Sequence, residues 1–206
     1  MANNIEKPQA PALPQAKEEY TRSFADENNN VLRLFFNRIT SALDNIFSAT
    51  QGGKFIYMPR GYFYSATDQS AAGTNTGYAV AFEVSTIASG VTMTGSNKRI
   101  TATDSGTYNF QVMLQASESG GAAADVTVYA KLNGTSIAYG GQIHTVPASG
   151  EAIIPFNFSA ALTAGQYIEI YWATTDTNVT LNATATAGVH VGLASARAAV
   201  SFVSNS

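Results

Sequence analysis

Cysteine is absent from the chain, which excludes a disulfide framework, a cysteine-based zinc site and a thiol nucleophile. Charge is scarce as well. Asp, Glu, Lys and Arg make up 12% of 206 residues, about half the usual share of a soluble domain. A formal net charge of −3 gives no broad attraction to nucleic acid or to anionic membrane surfaces, so neither partner is expected. No stretch approaches the roughly 18 apolar residues of a membrane span, so no membrane insertion is expected. The opening MANNIEKPQAPALPQ lacks a basic segment followed by an apolar one, and no signal peptide is expected. Histidine occurs only as His144 and His190, neither within a metal-ligand or catalytic motif. The later acidic residues (Asp68, Glu83, Asp104, Glu118, Asp125, Glu151, Glu169 and Asp176) are scattered singly. Nucleophile elbow, P-loop and dinucleotide fingerprint are all missing. The reading is a non-enzyme with no catalytic residues, no metal and no cofactor. What remains is ample: 45% of the chain is hydrophobic, enough to build a core.

The chain divides by composition. Residues 1–60 hold 13 of the 25 charged side chains, whereas 19 of the 22 threonines follow position 60. Pro8, Pro11 and Pro14 recur at the spacing of three that suits an extended polyproline-like strand. Residues 1–20 are therefore read as an extended anchoring arm, and residues 21–50 as a helix. Ser23 followed by Asp26 resembles a capping-box start. Leu32, Phe35, Ile39, Ala42 and Ile46 alternate steps of three and four, the a and d positions of a heptad, and predict helix self-association. Gly52-Gly53 supplies a stop and a hinge.

In residues 51–206 the period is two. Tyr108, Phe110, Val112 and Leu114 alternate with polar neighbours, as do Val126, Val128, Ala130 and Leu132. The same holds for Ile154, Phe156 and Phe158, for Ile168, Ile170 and Trp172, and for Val200 and Phe202. Turn residues bound the runs: Asp104-Ser105-Gly106, Asn133-Gly134, Gly140-Gly141, Ser149-Gly150, Ala164-Gly165 and Asp176-Thr177-Asn178. Short strands at this spacing predict a mainly β, antiparallel sandwich. The strand around Trp172 carries Tyr167, Glu169 and Tyr171 on its second face. With few charges to solvate that face, it is read as a subunit interface.

Lys98-Arg99-Ile100-Thr101 and Ser105-Gly106-Thr107-Tyr108-Asn109-Phe110-Gln111 resemble central strands of the C1q/tumour-necrosis-factor jelly roll. So do Lys131-Leu132-Asn133-Gly134 and the stretch from Ala161 to Ile170. The order of these stretches is similar to that in TNF-like heads of bacteriophage structural proteins. The proline-rich start, Glu19-Tyr20 and Asn30-Val31-Leu32-Arg33-Leu34-Phe35-Phe36-Asn37 resemble the start of phage virion appendages. The resemblance implies a homotrimer of jelly-roll heads packed by aromatic faces around a threefold axis, and it supplies no catalytic residues.

With the strand pattern, it assigns Tyr129, Tyr167, Tyr171 and Phe202 to the trimer interface, and Pro8, Pro11, Pro14, Glu19 and Tyr20 to virion anchoring. The implied function is a short trimeric fibre, knob or decoration protein at the virion surface, made in the bacterial host cytoplasm. Its partners would be other virion proteins (capsid, portal or tail) through residues 1–30, and a host cell-surface glycan. A lectin-like carbohydrate-binding module is the second reading, and a capsule depolymerase the third.

Overall fold

The computed structural model describes residues 21–47, 58–189 and 191–204. The assigned anchoring residues Pro8, Pro11, Pro14, Glu19 and Tyr20, the Gly52-Gly53 hinge and His190 lie outside the described residues. The chain forms two compact units, Met1–Tyr57 and Met58–Ser206.

In the first unit, helix α1 runs Arg22–Phe47. Its cap is Thr21, whose Oγ1 accepts the Phe24 N–H at 3.4 Å while its carbonyl accepts the Ala25 N–H at 3.2 Å. The expected Ser23/Asp26 box is thus corrected. Ser23 already lies inside the first turn, and Asp26 sits 3.9 Å from Arg22 one turn away. Leu32, Phe35, Ile39 and Ala42 form a half-buried line, whereas Ile46 is exposed. Phe36, Leu43 and Phe47 are exposed beside that line, with Leu34 exposed on the far side.

The second unit is built from β1 (Arg60–Ser65), β2 (Gln69–Ser70), β3 (Tyr78–Ala79), β4 (Val84–Ser89), β5 (Val91–Thr94), β6 (Arg99–Ala102) and β7 (Gly106–Glu118). They are followed by β8 (Ala124–Leu132), β9 (Thr135–Val146), β10 (Glu151–Leu162), β11 (Tyr167–Thr174), β12 (Val179–Leu181) and β13 (Ala196–Ser204). The first sheet runs β4-β1-β13-β7-β10, with β12 and β2 extending it beside the end of β7. The second runs β5-β6-β11-β8-β9, with β3 on the end of β11. Every pairing is antiparallel. The chain changes sheet after β2, β3, β4, β6, β7, β9, β10 and β11, the back-and-forth strand order of a double-sheet jelly roll.

The alternation seen in the sequence is what closes the core. Along β7 the even-numbered side chains Tyr108, Phe110, Val112, Leu114 and Ala116 point between the sheets, met by Ile168, Ile170 and Trp172 of β11 and Val126, Val128 and Ala130 of β8. Phe110 stacks on Phe158 with ring centroids 4.9 Å apart, and Tyr108 meets Phe202 edge-on at 5.6 Å. A Cβ on Gly106 would sit 2.2 Å from the Phe202 ring, so only glycine fits there.

Asn133 and Gly134 have φ of +49° and +81°, the left-handed pair that closes the two-residue β8–β9 hairpin. Gly140-Gly141 is a correction. These glycines lie inside β9, where the β8 register slips and Tyr139 takes φ +55°, so the pair marks a bulge and the strand continues.

Tyr108 is fully buried and its hydroxyl donates to the Asp104 carbonyl at 2.7 Å. Burial, reinforced by the Asp104 charge, pushes its pKa up to about 12. Folding therefore draws stability from the neutral phenol that is fully present below pH ~10 and is lost as pH rises through the folded value. Tyr108→Phe is expected to cost about 1 kcal/mol at pH 7 through the lost hydrogen bond. It should also flatten the alkaline limb of a denaturant-midpoint profile; a limb as steep as wild type's would assign that loss to other groups.

Candidate functional site

Each sheet has an outward face, and the two differ in chemistry. On the second sheet, Tyr129 of β8 and Tyr171 of β11 are in register and stack at 5.5 Å. The Lys131 ammonium lies 3.8 Å from the Tyr171 ring centre, and the Arg99 guanidinium 4.4 Å from that of Tyr167. Arg99 Nε also donates to Glu169 Oε1 at 3.0 Å, an ion pair that raises the guanidinium pKa. The fold thus brings together three of the four tyrosine and phenylalanine residues assigned to the interface. Their rings are already engaged by cations of the same chain.

Phe202 is the fourth and needs correction. It is 4% exposed and wedged against Tyr108 between the sheets, so it has no surface to offer a second copy. The even-numbered side of β13 is the core side.

On the first sheet, cross-strand registers set Tyr64, Arg197, Met113 and Pro155 in one outward row and Tyr62, Ala199, Gln111 and Asn157 in the next. Met113 is 38% exposed, and Ile153 on β10, opposite Gln115, is 63% exposed. Ile87 and Val203 add apolar surface at the margins. Among the described residues of these strands the outward charges are only Arg60, Arg197 and Glu151.

At one end of this face lies a groove of about 770 Å³. Tyr62, Tyr64 and Arg197 form its floor on the sheet; Thr67 and Asp68 form one rim, and Thr184, Thr186 and Leu193 the other. The second rim is an arm, residues 183–194, folded back on itself by paired backbone hydrogen bonds between Thr184 and Leu193 at 2.9 and 2.8 Å. Gly192 N–H donates to Thr186 Oγ1 at 2.9 Å within it. The rims are fastened to each other: Asp68 Oδ1 accepts the Ala183 N–H at 2.7 Å.

Below them the buried Ser195 hydroxyl donates to the Thr67 carbonyl at 2.7 Å, and the Ser195 N–H donates to the Ser65 carbonyl at 3.0 Å. Thr67 Oγ1 donates to Glu83 at 2.8 Å. Desolvation raises the Glu83 pKa, but hydrogen bonds from Ser65 and Thr67 outweigh it and hold the carboxyl below its ordinary value. Gln69 clamps the next segment, accepting the Ala81 N–H at 2.8 Å and donating to its carbonyl at 3.0 Å.

Sequence reasoning did not find this groove. Its residues come from β1, the 66–68 corner, the 183–194 arm and β13, separated by more than a hundred positions and linked by no motif. The one available signal was the alternation Tyr62-Phe63-Tyr64, which places two tyrosines on one strand face.

His144 is half-buried on β9, its Nε2 3.4 Å from Gln142 Oε1. Among the described residues no three His, Cys, Asp or Glu side chains gather closely enough to hold a metal ion. Among them, too, no helix is long and apolar enough to cross a membrane.

No family model matches the chain, and no curated protein matches it. Among solved structures, the globular domain of zebrafish complement 1qA protein is similar at 12% identity and a TM-score of 0.46, covering 72% of this chain and 99% of its own.

Proposed function

We propose that this chain is a non-enzymatic structural protein of a bacteriophage particle, a short trimeric fibre, knob or decoration protein that displays its jelly-roll head to the host surface. In this reading residues 1–30 dock to other virion proteins, and Leu32, Phe35, Ile39, Ala42 and Ile46 associate between copies. The observation that carries the assembly is the outward face of the first sheet. An apolar surface with Met113 on β7 and Pro155 and Ile153 on β10, and with only Arg60, Arg197 and Glu151 as outward charges among the described residues of the sheet, is poorly solvated alone, and burying it against another copy removes that cost. Edge strand β10, whose far side has no strand partner among the described residues, adds to this surface. A heterologous contact between a face and an edge closes into a ring when the rotation is a third of a turn.

The interface is therefore assigned to β7 and β10 of the first sheet, in place of the tyrosines of the second. The expected result is a native mass of three chains at micromolar concentration. A stable monomer at that concentration rejects the proposal.

The lectin-like reading retains one specific support, the groove with two tyrosine rings on its floor.

A further inference from the structure

We infer that the groove beneath the 183–194 arm binds carboxylate-bearing sugar residues of a surface polysaccharide. The inference rests on reading the head as a surface-binding device, and it names the chemistry of the ligand. At about 770 Å³ the groove lies within the range of roughly 300–1,000 Å³ usual for small-ligand sites.

Its cation is Arg197. Among the described residues the ion pairs are Arg22–Asp26 and Arg99–Glu169, so Arg197 has no carboxylate within reach. Its Nε is closed off from solvent with no acceptor. Its cross-strand neighbours, Tyr64 and Met113, offer no anion. A half-buried guanidinium without an anion is unfavourable, and its planar fork matches a carboxylate.

The rest of the lining selects a sugar acid over a bare anion. Tyr62 and Tyr64 present two rings with centroids 6.4 Å apart, tilted by 45°, which suit the apolar C–H faces of a pyranose. Asp68 accepts the Ala183 N–H on one oxygen, and among the described residues its other oxygen has no hydrogen-bond partner, leaving an acceptor for sugar hydroxyls. Thr184 adds a hydroxyl-bearing side chain to the lining. Phosphate or sulfate in this groove would bring no C–H face for the rings and no array of hydroxyl donors for Asp68. A carboxylate side chain from a second copy would answer Arg197 and leave Asp68 and both rings unused.

The test uses the full-length chain. Its probes are a glucuronate-containing tetrasaccharide and the same molecule with its carboxyls reduced to alcohols, read by saturation-transfer NMR and calorimetric titration. Saturable binding of the acid form is expected, at least tenfold weaker for the reduced form. Arg197→Gln should weaken acid binding at least tenfold. Tyr62→Ala should weaken both forms, while Tyr62→Phe retains binding. Arg197 and Tyr62 lie on β13 and β1, outside the strands β7 and β10 assigned to the interface, so native mass and thermal midpoint should stay near wild type.

The proposal is overturned if neither sugar saturates the protein at millimolar concentration, if the reduced form binds equally, or if Arg197→Gln binds as wild type does. It is also overturned if Arg197→Gln dissociates the oligomer, because the arginine then serves a second copy. The wild-type mass separates the two readings: a trimer without sugar affinity rejects the groove alone, and a sugar-binding monomer rejects the assembly alone.

Discussion

A chain shortened to residues 48–206 is expected to form the same oligomer as the full chain and to lose attachment to particles lacking the native protein, its bound copies falling to background. Among the described residues, every side chain of the buried core between the two sheets belongs to the unit Met58–Ser206, and the shortened chain keeps them all. In the proposed function the removed part is the anchor, and Pro8, Pro11 and Pro14 would reduce the entropy lost when such a segment settles onto another protein. On the proposed assembly, three arms on one trimer would act at high effective concentration, and avidity of about 10² to 10⁴ over a single arm would turn modest affinity into lasting attachment. Particle co-sedimentation of the two forms, with native mass measured beside it, gives the result. Equal attachment of the shortened chain would place the anchor on the jelly roll. A shortened chain that is monomeric would place the association in α1.

Ile153→Asp combined with Met113→Asp is the second large effect, expected to shift the dissociation midpoint of the trimer at least 100-fold, about 3 kcal/mol. Both side chains lie on the outward face of the first sheet, so the monomer fold should tolerate the change. In the assembly the charge from Ile153→Asp would be buried opposite Gln115 with no counter-ion, a penalty of several kcal/mol, while the Met113→Asp charge faces Arg197 and adds less. Analytical ultracentrifugation over a dilution series reads the shift directly. Tyr171→Ala is the paired comparison. The strand pattern alone assigned Tyr171 to the interface and predicts dissociation; the folded structure, in which Lys131 already covers that ring, predicts an unchanged mass. Dissociation by Tyr171→Ala with none by the aspartates would return the interface to the second sheet.

Some of this molecule was legible one residue at a time. Strand alternation in β7, β8, β10 and β11 named the core side chains, because a period of two leaves only one face for each residue to occupy. The Asn133-Gly134 hairpin was legible because its backbone needs two left-handed residues in succession. Gly140-Gly141 misled, since glycine marks a bulge inside a strand as readily as a turn between strands. Ser23 misled by two residues, since a cap is set by which backbone N–H groups lack acceptors, and those lay within reach of Thr21.

For the surfaces, alternation says only that Tyr171 and Met113 face away from the core. It does not say that cations of the same chain already cover one and not the other. The groove was beyond the sequence altogether. Its floor and rims are set by sheet neighbours and by a buried serine joining the 66–68 corner to the start of β13. Which residues face inward follows from a local period and can be read along the chain. Which outward residues meet depends on strand order, and that is fixed by packing between segments far apart in the chain.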